Sequence, residues 1–289
     1  MFNNTYNFAF IGGDMRQIYM INELLSLHYS VVVYGLSDPL LDDRCVIVSS
    51  LKDAVISSNI LILPIPIMKD SNRIVSKSNI DINFCELQSY LTSDHKLYGG
   101  VFSKDFKDFL TTSHIYFHDF MEQEEVILYN SIATAEGTIA CAITNSPINL
   151  HDSSCLILGY GRCGITLAHK LKLLSKNVTI SARSKEQLAS AHTSLFNTIP
   201  LNELDQNICE FDFIFNTIPS LVLTRDLLIA TKPSVVIIDI ASNPGGVDFA
   251  YAKELNRYTN LYLGIPGKVS PKSSATFLIN HLLNQFRKK

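Results

Sequence analysis

A glycine-rich hexapeptide with the spacing GxGxxG carries the strongest chemical signal in this sequence. Its residues are Gly159, Tyr160, Gly161, Arg162, Cys163 and Gly164. It follows the apolar run CLIL and precedes apolar residues at helical spacing, which is the context that the motif requires. The three glycines would allow a tight turn, the close approach of a pyrophosphate, and close packing of helix on strand. The pattern therefore predicts a dinucleotide at the N terminus of a helix.

The end of the next predicted strand indicates which dinucleotide is bound. NAD sites usually carry Asp or Glu there, about 20 residues after the first glycine. This chain instead has Ala182, Arg183 and Ser184, with no acidic residue before Glu186. A guanidinium group can bind a 2′-phosphate through two hydrogen bonds, and a serine hydroxyl can add another. The sequence therefore predicts NADP(H) as the cofactor, and a solvated loop arginine is the alternative.

A second turn between strand and helix, at Gly12 and Gly13, departs from the glycine pattern. Asp14 stands at the second glycine position and Gln17 at the third, so we expect no pyrophosphate there. A helix N terminus with Arg16 in its first turn still attracts anions. We predict a carboxylate site at Gly13, Asp14 and Arg16, and an ordinary turn with a surface arginine is the alternative.

Short apolar strands alternate with helical segments in both halves of the chain. This order predicts an α/β fold of two Rossmann-like parallel-sheet domains joined by a long helix, with the C-terminal helix returning to the first domain. The predicted flavodoxin- or Rossmann-like substrate domain covers 1–118, with 272–289 as the returning helix. The connecting helix covers 119–147, and the NADP-binding domain covers 148–271.

Composition excludes several classes of protein. Lys plus Arg number 24 and Asp plus Glu number 27, so the strongly basic surface of a nucleic-acid binder is not expected. The sequence begins without the basic and apolar pattern of a secretion signal, and its apolar runs are shorter than the roughly 20 residues that span a bilayer. The six cysteines form no CxxC pair and the eight histidines no HxH pair, so we expect no metal site. A cytoplasmic location without membrane attachment is expected.

Several segments together resemble the family formed by the dipicolinate synthase A subunits of endospore-forming bacteria. They are IGGDMRQ, YNSIATAEGTIACAI, LGYGRCG with SARS, FNTIP, DIASNPGGVDF and GIPGKVSPKSSA. The resemblance implies the oxidation of dihydrodipicolinate to dipicolinate with NADP as the acceptor. It also implies a partner, a flavoprotein-like B subunit, and action in the mother cell during sporulation. Self-association of the chain is left open.

A flat ring that carries two carboxylates sets the requirements for the substrate site. The protein must orient the ring, bind two anions and accept one proton. The candidate substrate contacts are Gly13, Asp14 and Arg16, Lys272 at the start of the last helix, Asn130 and Thr134 on the connecting helix, and Ser242, Asn243 and Gly245 after a late strand. Thr217 and Pro219 are expected beside the nicotinamide ribose. Glu136 is the candidate catalytic proton acceptor; a structural salt bridge at Glu136, and water as acceptor, are the alternatives.

Two other functions are consistent with the motifs. One is a two-domain dehydrogenase of the alanine or 2-hydroxy-acid type. A 2-hydroxy-acid enzyme would need a histidine with a carboxylate partner, and no downstream histidine occupies such a place. The other is a non-catalytic NADP-binding subunit that regulates a partner, because binding does not imply catalysis.

Overall fold

The computed structural model describes residues 5–70, 72–78 and 80–287. The chain divides into two compact units, each built on its own parallel sheet. Unit 1 comprises 1–129 and 270–289, and unit 2 comprises 130–269. The predicted α/β fold class is confirmed.

Unit 1 begins with alternating short strands and helices. They are β1 (Phe8–Ile11), α1 (Met15–Ser26), β2 (Val31–Tyr34), β3 (Val46–Ile47), α2 (Leu51–Ile56), β4 (Ile60–Ile62), β5 (Arg73–Ile74), β6 (Ile82–Asn83), α3 (Phe84–Tyr90), β7 (Lys96–Gly99), α4 (Lys104–Thr112) and β8 (Tyr116–Asp119). The main sheet has the order β3-β2-β1-β4-β7-β8, and its neighbouring strands are parallel. Every residue of β1 is buried, as expected for a central strand covered on both faces.

The long helix α5 (Glu124–Thr144) begins five residues later than the start of the predicted connecting segment at residue 119. Asp119 instead ends β8, and its side chain caps a short 3-10 turn by accepting from the amide of Met121. A capping aspartate with extended backbone marks a boundary that periodicity alone does not locate. The border between the two units falls inside α5, between Tyr129 and Asn130.

Helix α5 is long and apolar enough to cross a membrane by length and composition. Its most apolar window has a mean hydropathy of 1.4, and half of that window is buried within the protein. It supplies Val126 to the core of unit 1 and Ala135, Ile139 and Ala142 to the core of unit 2. Such burial is typical of a core helix in a soluble protein, so the finding is weak support for a membrane span.

Unit 2 continues with a second alternating series. It consists of β9 (Ser154–Leu158), α6 (Arg162–Leu171), β10 (Asn177–Ala182), α7 (Lys185–Thr193), β11 (Asn197–Pro200), β12 (Phe213–Asn216), α8 (Arg225–Ala230), β13 (Val236–Asp239), α9 (Phe249–Glu254), β14 (Tyr258–Leu261) and α10 (Ile265–Val269). The sheet order is β11-β10-β9-β12-β13-β14, with all neighbours parallel. The order reverses direction beside β9, which is where ligands bind in sheets of this kind.

The last helix, α11 (Pro271–Arg287), belongs to unit 1 and packs on α1. Leu278, Ile279 and Leu282 lie in the same buried cluster as Ile18 and Leu24. The predicted return of the C-terminal helix to the first domain is therefore confirmed. The predicted segment extends to residue 289, and residues 288–289 lie outside the described part of the chain.

Candidate functional site

The turn after β9 has the geometry of a phosphate-binding loop. Gly159 has φ +93°, a left-handed conformation that favours glycine. Gly161 is the N-cap of α6 and makes no side-chain capping hydrogen bond. A helix start that lacks a capping side chain leaves its amides to water or to a ligand. The positive end of the helix dipole adds to the attraction for an anion.

The second and third glycines of this turn face different surroundings. A Cβ atom added to Gly161 would meet no other atom within 4 Å, so the space in front of this residue is open. A Cβ atom added to Gly164 would collide with the carbonyl oxygen of Gly159. Gly164 therefore serves the packing of α6 on the turn, whereas Gly161 keeps a surface clear for a ligand. This difference fits the roles that the motif gives to the two glycines in dinucleotide binding.

A cavity of about 540 Å³ opens at this turn. Its lining includes seven of the predicted cofactor residues, namely Gly159, Tyr160, Gly161, Arg183, Ser184, Thr217 and Pro219. It also includes Gln187, Leu201, Ile218, Ser220, Leu221, Val222 and Leu227, which the sequence did not indicate. The cavity therefore spans the ends of β10, β9 and β12. Its volume lies in the range usual for cofactor pockets.

Four predicted cofactor residues do not line the cavity. Arg162 and Cys163 open α6, and Gly164 follows them inside its first turn. Burial raises the pKa of the Cys163 thiol, which keeps it neutral. Ala182 is buried at the end of β10.

Arg183 follows β10 and is exposed at the mouth of the cavity. It makes no ion pair or hydrogen bond with any other residue that the structure describes. An unpaired guanidinium on a cavity wall is free to bind a phosphate.

Ser184 differs from the expectation, because its hydroxyl is already in use. It caps α7 by accepting from the amide of Gln187 and donates to the carboxylate of Glu186 across 2.5 Å. This hydrogen bond holds the pKa of Glu186 below its usual range. A carboxylate therefore stands beside Ser184, at the edge of the cavity that Arg183 also lines, a feature that the rule of an acid at the strand end did not capture.

The loop after β13 holds the residues that were expected to flank the ring. Ser242 and Asn243 are exposed, Gly245 is buried with φ +85°, and none of the three lines the cavity. Buried Asp239, the last residue of β13, accepts from the amide of Gly246 across 2.7 Å. Asp239 was not among the residues predicted from the sequence. A polar residue at the end of an otherwise apolar strand was the available signal.

In unit 1, the turn after β1 already uses the amides that were expected to bind a carboxylate. Gly12 donates to the carbonyl of Tyr34 and Gly13 to that of Val75, each across 2.8 Å. Asp14 caps α1 and forms a capping box with Gln17. The expectation of a substrate carboxylate on Gly13 and Asp14 is therefore corrected: Gly13 has no free amide, and Asp14 itself supplies the anion at this helix start.

Arg16 is buried, with 4% of its surface exposed, rather than lying on the surface. Its Nη2 donates to Asp14 across 2.7 Å and also to the carbonyl of Ile65, and its Nε donates to Asp14. Next to this pair, Gln17 is 1% exposed and its Nε2 has no hydrogen-bond partner among the described residues. An unpaired buried donor is costly, so Nε2 of Gln17 needs an acceptor that the described residues do not supply, such as a bound water or a ligand. The spacing DxxQ of the capping box was the sequence signal for this side chain.

The predicted residues on α5 have partners within unit 2. Thr134 donates through its hydroxyl to the carbonyl of Asn130, which is buried. Glu136 is half exposed, and its carboxylate accepts from Nζ of Lys170 across 2.9 Å. The structure thus shows the salt bridge that was the alternative to a proton acceptor at Glu136, and this residue does not line the cavity.

Lys272 is exposed in the first turn of α11. Ser274, two residues later, is buried, and its hydroxyl has no partner among the described residues. In the described part of the chain, no group of three or more His, Cys, Asp or Glu side chains is arranged to hold a metal ion.

Comparisons with known proteins agree with the sequence resemblance. Residues 7–121 match the family model of the N-terminal domain of the dipicolinate synthase A subunit. The chain is 29% identical to the dipicolinate synthase A subunit of Bacillus subtilis (strain 168), over 95% of this chain and 93% of the relative. The crystal structure of the dipicolinate synthase A subunit from Bacillus halodurans superposes with a TM-score of 0.86 at 26% identity, covering 99% of this chain and 98% of that one.

A more distant solved structure shares the fold. An L-alanine dehydrogenase superposes with a TM-score of 0.62 at 15% identity, over 96% of this chain and 88% of its own. The chain is therefore similar to the A subunit of dipicolinate synthase along nearly its whole length, and the resemblance inferred from the sequence is confirmed.

Proposed function

We propose that this chain is an NADP-dependent oxidoreductase that converts dihydrodipicolinate to dipicolinate, together with a flavoprotein-like B subunit, in the mother-cell cytoplasm of a sporulating bacterium. The chain has a dehydrogenase-like fold and is similar to the A subunit of dipicolinate synthase along nearly its whole length, which supports this proposal.

One observation carries the choice of cofactor. The cavity combines an open glycine, Gly161, at an uncapped helix start with the unpaired guanidinium of Arg183. The helix start suits a pyrophosphate, and Arg183 suits a second phosphate at the adenosine end. A 2′-phosphate distinguishes NADP from NAD, so this pair of features favours NADP. Glu186 opposes that preference, because a carboxylate beside the site repels a phosphate.

The residues of this chain would bind and orient, and the cofactor would supply the hydride acceptor when bound. Oxidation takes a hydride from one ring atom of dihydrodipicolinate and a proton from a neighbouring atom, which leaves an aromatic pyridine ring. For the two substrate carboxylates, unit 1 offers the unpaired amide of Gln17 beside Arg16, and the ammonium group of Lys272. Hydrogen bonds to an ionised carboxylate are stronger than hydrogen bonds between two neutral groups. We do not assign the proton to Glu136, because Lys170 holds its carboxylate.

The test is turnover by the purified chain, alone and mixed with its B subunit. Dihydrodipicolinate and NADP+ are supplied, and NADPH absorbance and dipicolinate are both measured. We expect equal amounts of NADPH and dipicolinate, and less product from NAD+. Parallel assays with alanine and with a 2-hydroxy acid test the dehydrogenases that share the fold. Dipicolinate formation without NADPH, or turnover of alanine alone, would overturn the proposal.

A further inference from the structure

The carboxylate of Asp239 is fully buried at the carboxyl end of β13 and satisfied by three donors. It accepts from Nδ2 of Asn216 across 2.9 Å, from the amide of Ala241 across 2.9 Å and from the amide of Gly246 across 2.7 Å. Burying a charge costs free energy unless such partners are present. The donors come from the end of β12 and from the loop after β13, so the carboxylate joins these two segments.

Asn216 connects Asp239 to the cavity wall. It ends β12 opposite Asp239 in the parallel register. Its Nδ2 also donates to the carbonyl of Ile218 across 3.0 Å, and its Oδ1 accepts from the amide of Ile218 across 3.1 Å. The side chain thereby fixes the turn at 217–218. This turn begins the cavity wall, which we define as residues 217–222.

Gly246 holds the other end of the cavity wall. Its carbonyl accepts from the amides of Val222 and Leu223, each across 2.9 Å. A Cβ atom on Gly246 would lie 2.5 Å from Nδ2 of Asn216 and 2.6 Å from the carbonyl oxygen of Ile218. The cavity wall is therefore held at both of its ends by groups that hydrogen-bond to Asp239 or to its neighbour Asn216.

The sheet order decides which part of a dinucleotide this wall would meet. The phosphate turn follows β9, and Arg183 at the adenosine end follows β10, on one side of β9. The cavity wall follows β12, on the other side of β9. The half of the cofactor that carries the nicotinamide therefore belongs at the wall.

We infer that Asp239 is a positioning residue that, through Asn216 and Gly246, fixes the cavity wall for the nicotinamide half of the dinucleotide. Asp239 itself does not line the cavity. This inference rests on the proposed binding of NADP(H) in the cavity.

The test compares two probes on the full chain by calorimetric titration. NADP+ requires the wall, whereas adenosine 2′,5′-bisphosphate contains only the adenosine half with its phosphates. In Asp239→Asn, an NH2 group replaces one carboxylate oxygen. This NH2 group faces a backbone amide or Nδ2 of Asn216, and because both are donors, at least one of the hydrogen bonds is lost. We expect affinity for NADP+ to fall about ten- to a hundredfold, from the loss of buried hydrogen bonds. Affinity for adenosine 2′,5′-bisphosphate should stay within about twofold, since that half lies on the far side of β9.

The matched control is Asp212→Asn. Asp212 immediately precedes β12, where it accepts from the amide of Ser154 and from Lys232. We expect this variant to leave the ratio of the two affinities unchanged. Gly246→Ala is the second test variant, because its Cβ displaces Asn216 and Ile218 without changing Asp239, and it should show the same selective loss as Asp239→Asn.

If the affinities for both probes fell equally in both test variants, the inference would be wrong and Asp239 would have a purely structural role. Unchanged affinity for NADP+ in these variants would also overturn the inference. If the unaltered chain bound the adenosine probe but not NADP+, the inference would fail while the adenosine site stood. If the unaltered chain bound neither probe, the proposed function itself would be wrong.

Discussion

The hydroxyl of Ser184 donates to the carboxylate of Glu186 across 2.5 Å, and Ser184 directly follows Arg183, the first residue after β10. This pair places a negative charge next to Ser184, at the edge of the cavity that Arg183 also lines. We assign the Arg183 guanidinium to the 2′-phosphate. We therefore expect cofactor preference to depend on the balance between Arg183 and Glu186, since a guanidinium attracts a phosphate and a carboxylate repels it.

Arg183→Ala tests the attractive side of this balance. We expect NADP+ affinity to fall about ten- to a hundredfold, as for the loss of hydrogen bonds to a charged group, with NAD+ affinity nearly unchanged. Calorimetric titration with both nucleotides provides the measurement. Lys185→Ala is the matched control, because it removes a neighbouring exposed cation. An equal loss of affinity for both nucleotides would contradict the assignment of the 2′-phosphate to Arg183.

Glu186→Gln tests the opposing side. Removing the charge should strengthen NADP+ binding about three- to tenfold, because a nearby carboxylate no longer repels the phosphate. The same titration in increasing salt should reduce the difference, since exposed charges are screened. If NAD+ affinity fell instead and NADP+ affinity did not change, Glu186 would bind a ribose hydroxyl and the chain would be an NAD protein.

Gly161→Ala and Gly164→Ala should separate binding from folding. A methyl group on Gly161 meets no protein atom, so the melting temperature should be unchanged while NADP+ binding is lost. A methyl group on Gly164 collides with the carbonyl of Gly159, so this variant should unfold at a lower temperature. Thermal unfolding and nucleotide titration are measured on both. Retained NADP+ affinity in Gly161→Ala would show that the pyrophosphate does not approach this turn.

Gln17→Glu tests the substrate site in unit 1 without removing the helix cap. Glutamate keeps an oxygen to accept from the amide of Asp14, as Oε1 of Gln17 does across 2.8 Å, but it loses the Nε2 donor. We expect the KM for dihydrodipicolinate to rise about tenfold or more, with NADP+ affinity unchanged. Asn22→Asp, a similar change on the same helix away from its N-terminal turn, is the control. Unchanged KM in Gln17→Glu would remove this residue from the substrate site.

His95 should make unit 1 sensitive to acid. Its Nδ1 accepts from the amide of Thr92 across 3.0 Å and its Nε2 lies 3.1 Å from the carbonyl of Val55, so the ring is neutral with its proton on Nε2. Burial lowers the pKa of His95 below the ordinary value of 6.5. The unfolded chain therefore binds this proton more readily, and stability is lost as the pH falls below about 6.5.

The measurement for His95 is the free energy of unfolding in urea at about pH 7.5 and about pH 5.5. We expect a smaller loss between these values in His95→Asn than in the unaltered chain. His151→Gln removes an exposed histidine and should behave like the unaltered chain. Burial also lowers the pKa of His118. Because His118 is present in all three proteins, it contributes equally to the pH dependence of their free energies of unfolding. An identical pH dependence in His95→Asn would contradict the role of this ring.

The sequence was sufficient for the parallel sheets and for the position of the glycine turn, because both depend on local patterns. Gly159, Gly161 and Gly164 follow an apolar strand at a fixed spacing, and the structure places the first two on the cavity. Arg183 was found because its position is counted from that turn. These features need only residues that are close in the chain.

Other features depend on contacts between distant segments and were not predictable. Arg16 is buried because Ile65, almost fifty positions away, offers its carbonyl, and the amide of Gly13 is used by Val75. The pairing of Glu136 with Lys170 likewise joins two helices. Asp239 was missed for the same reason, since its partners come from β12 and from a later loop. The late start of α5 depends on the cap at Asp119.

The most direct test of the central claim is a calorimetric titration of the purified, unaltered chain with NADP+ and with NAD+ under the same conditions. We expect both to bind at one site per chain, with NADP+ tighter by about tenfold or more. Absence of binding by both nucleotides, with and without the B subunit, or tighter binding of NAD+, would contradict the claim that the glycine turn and Arg183 hold NADP(H).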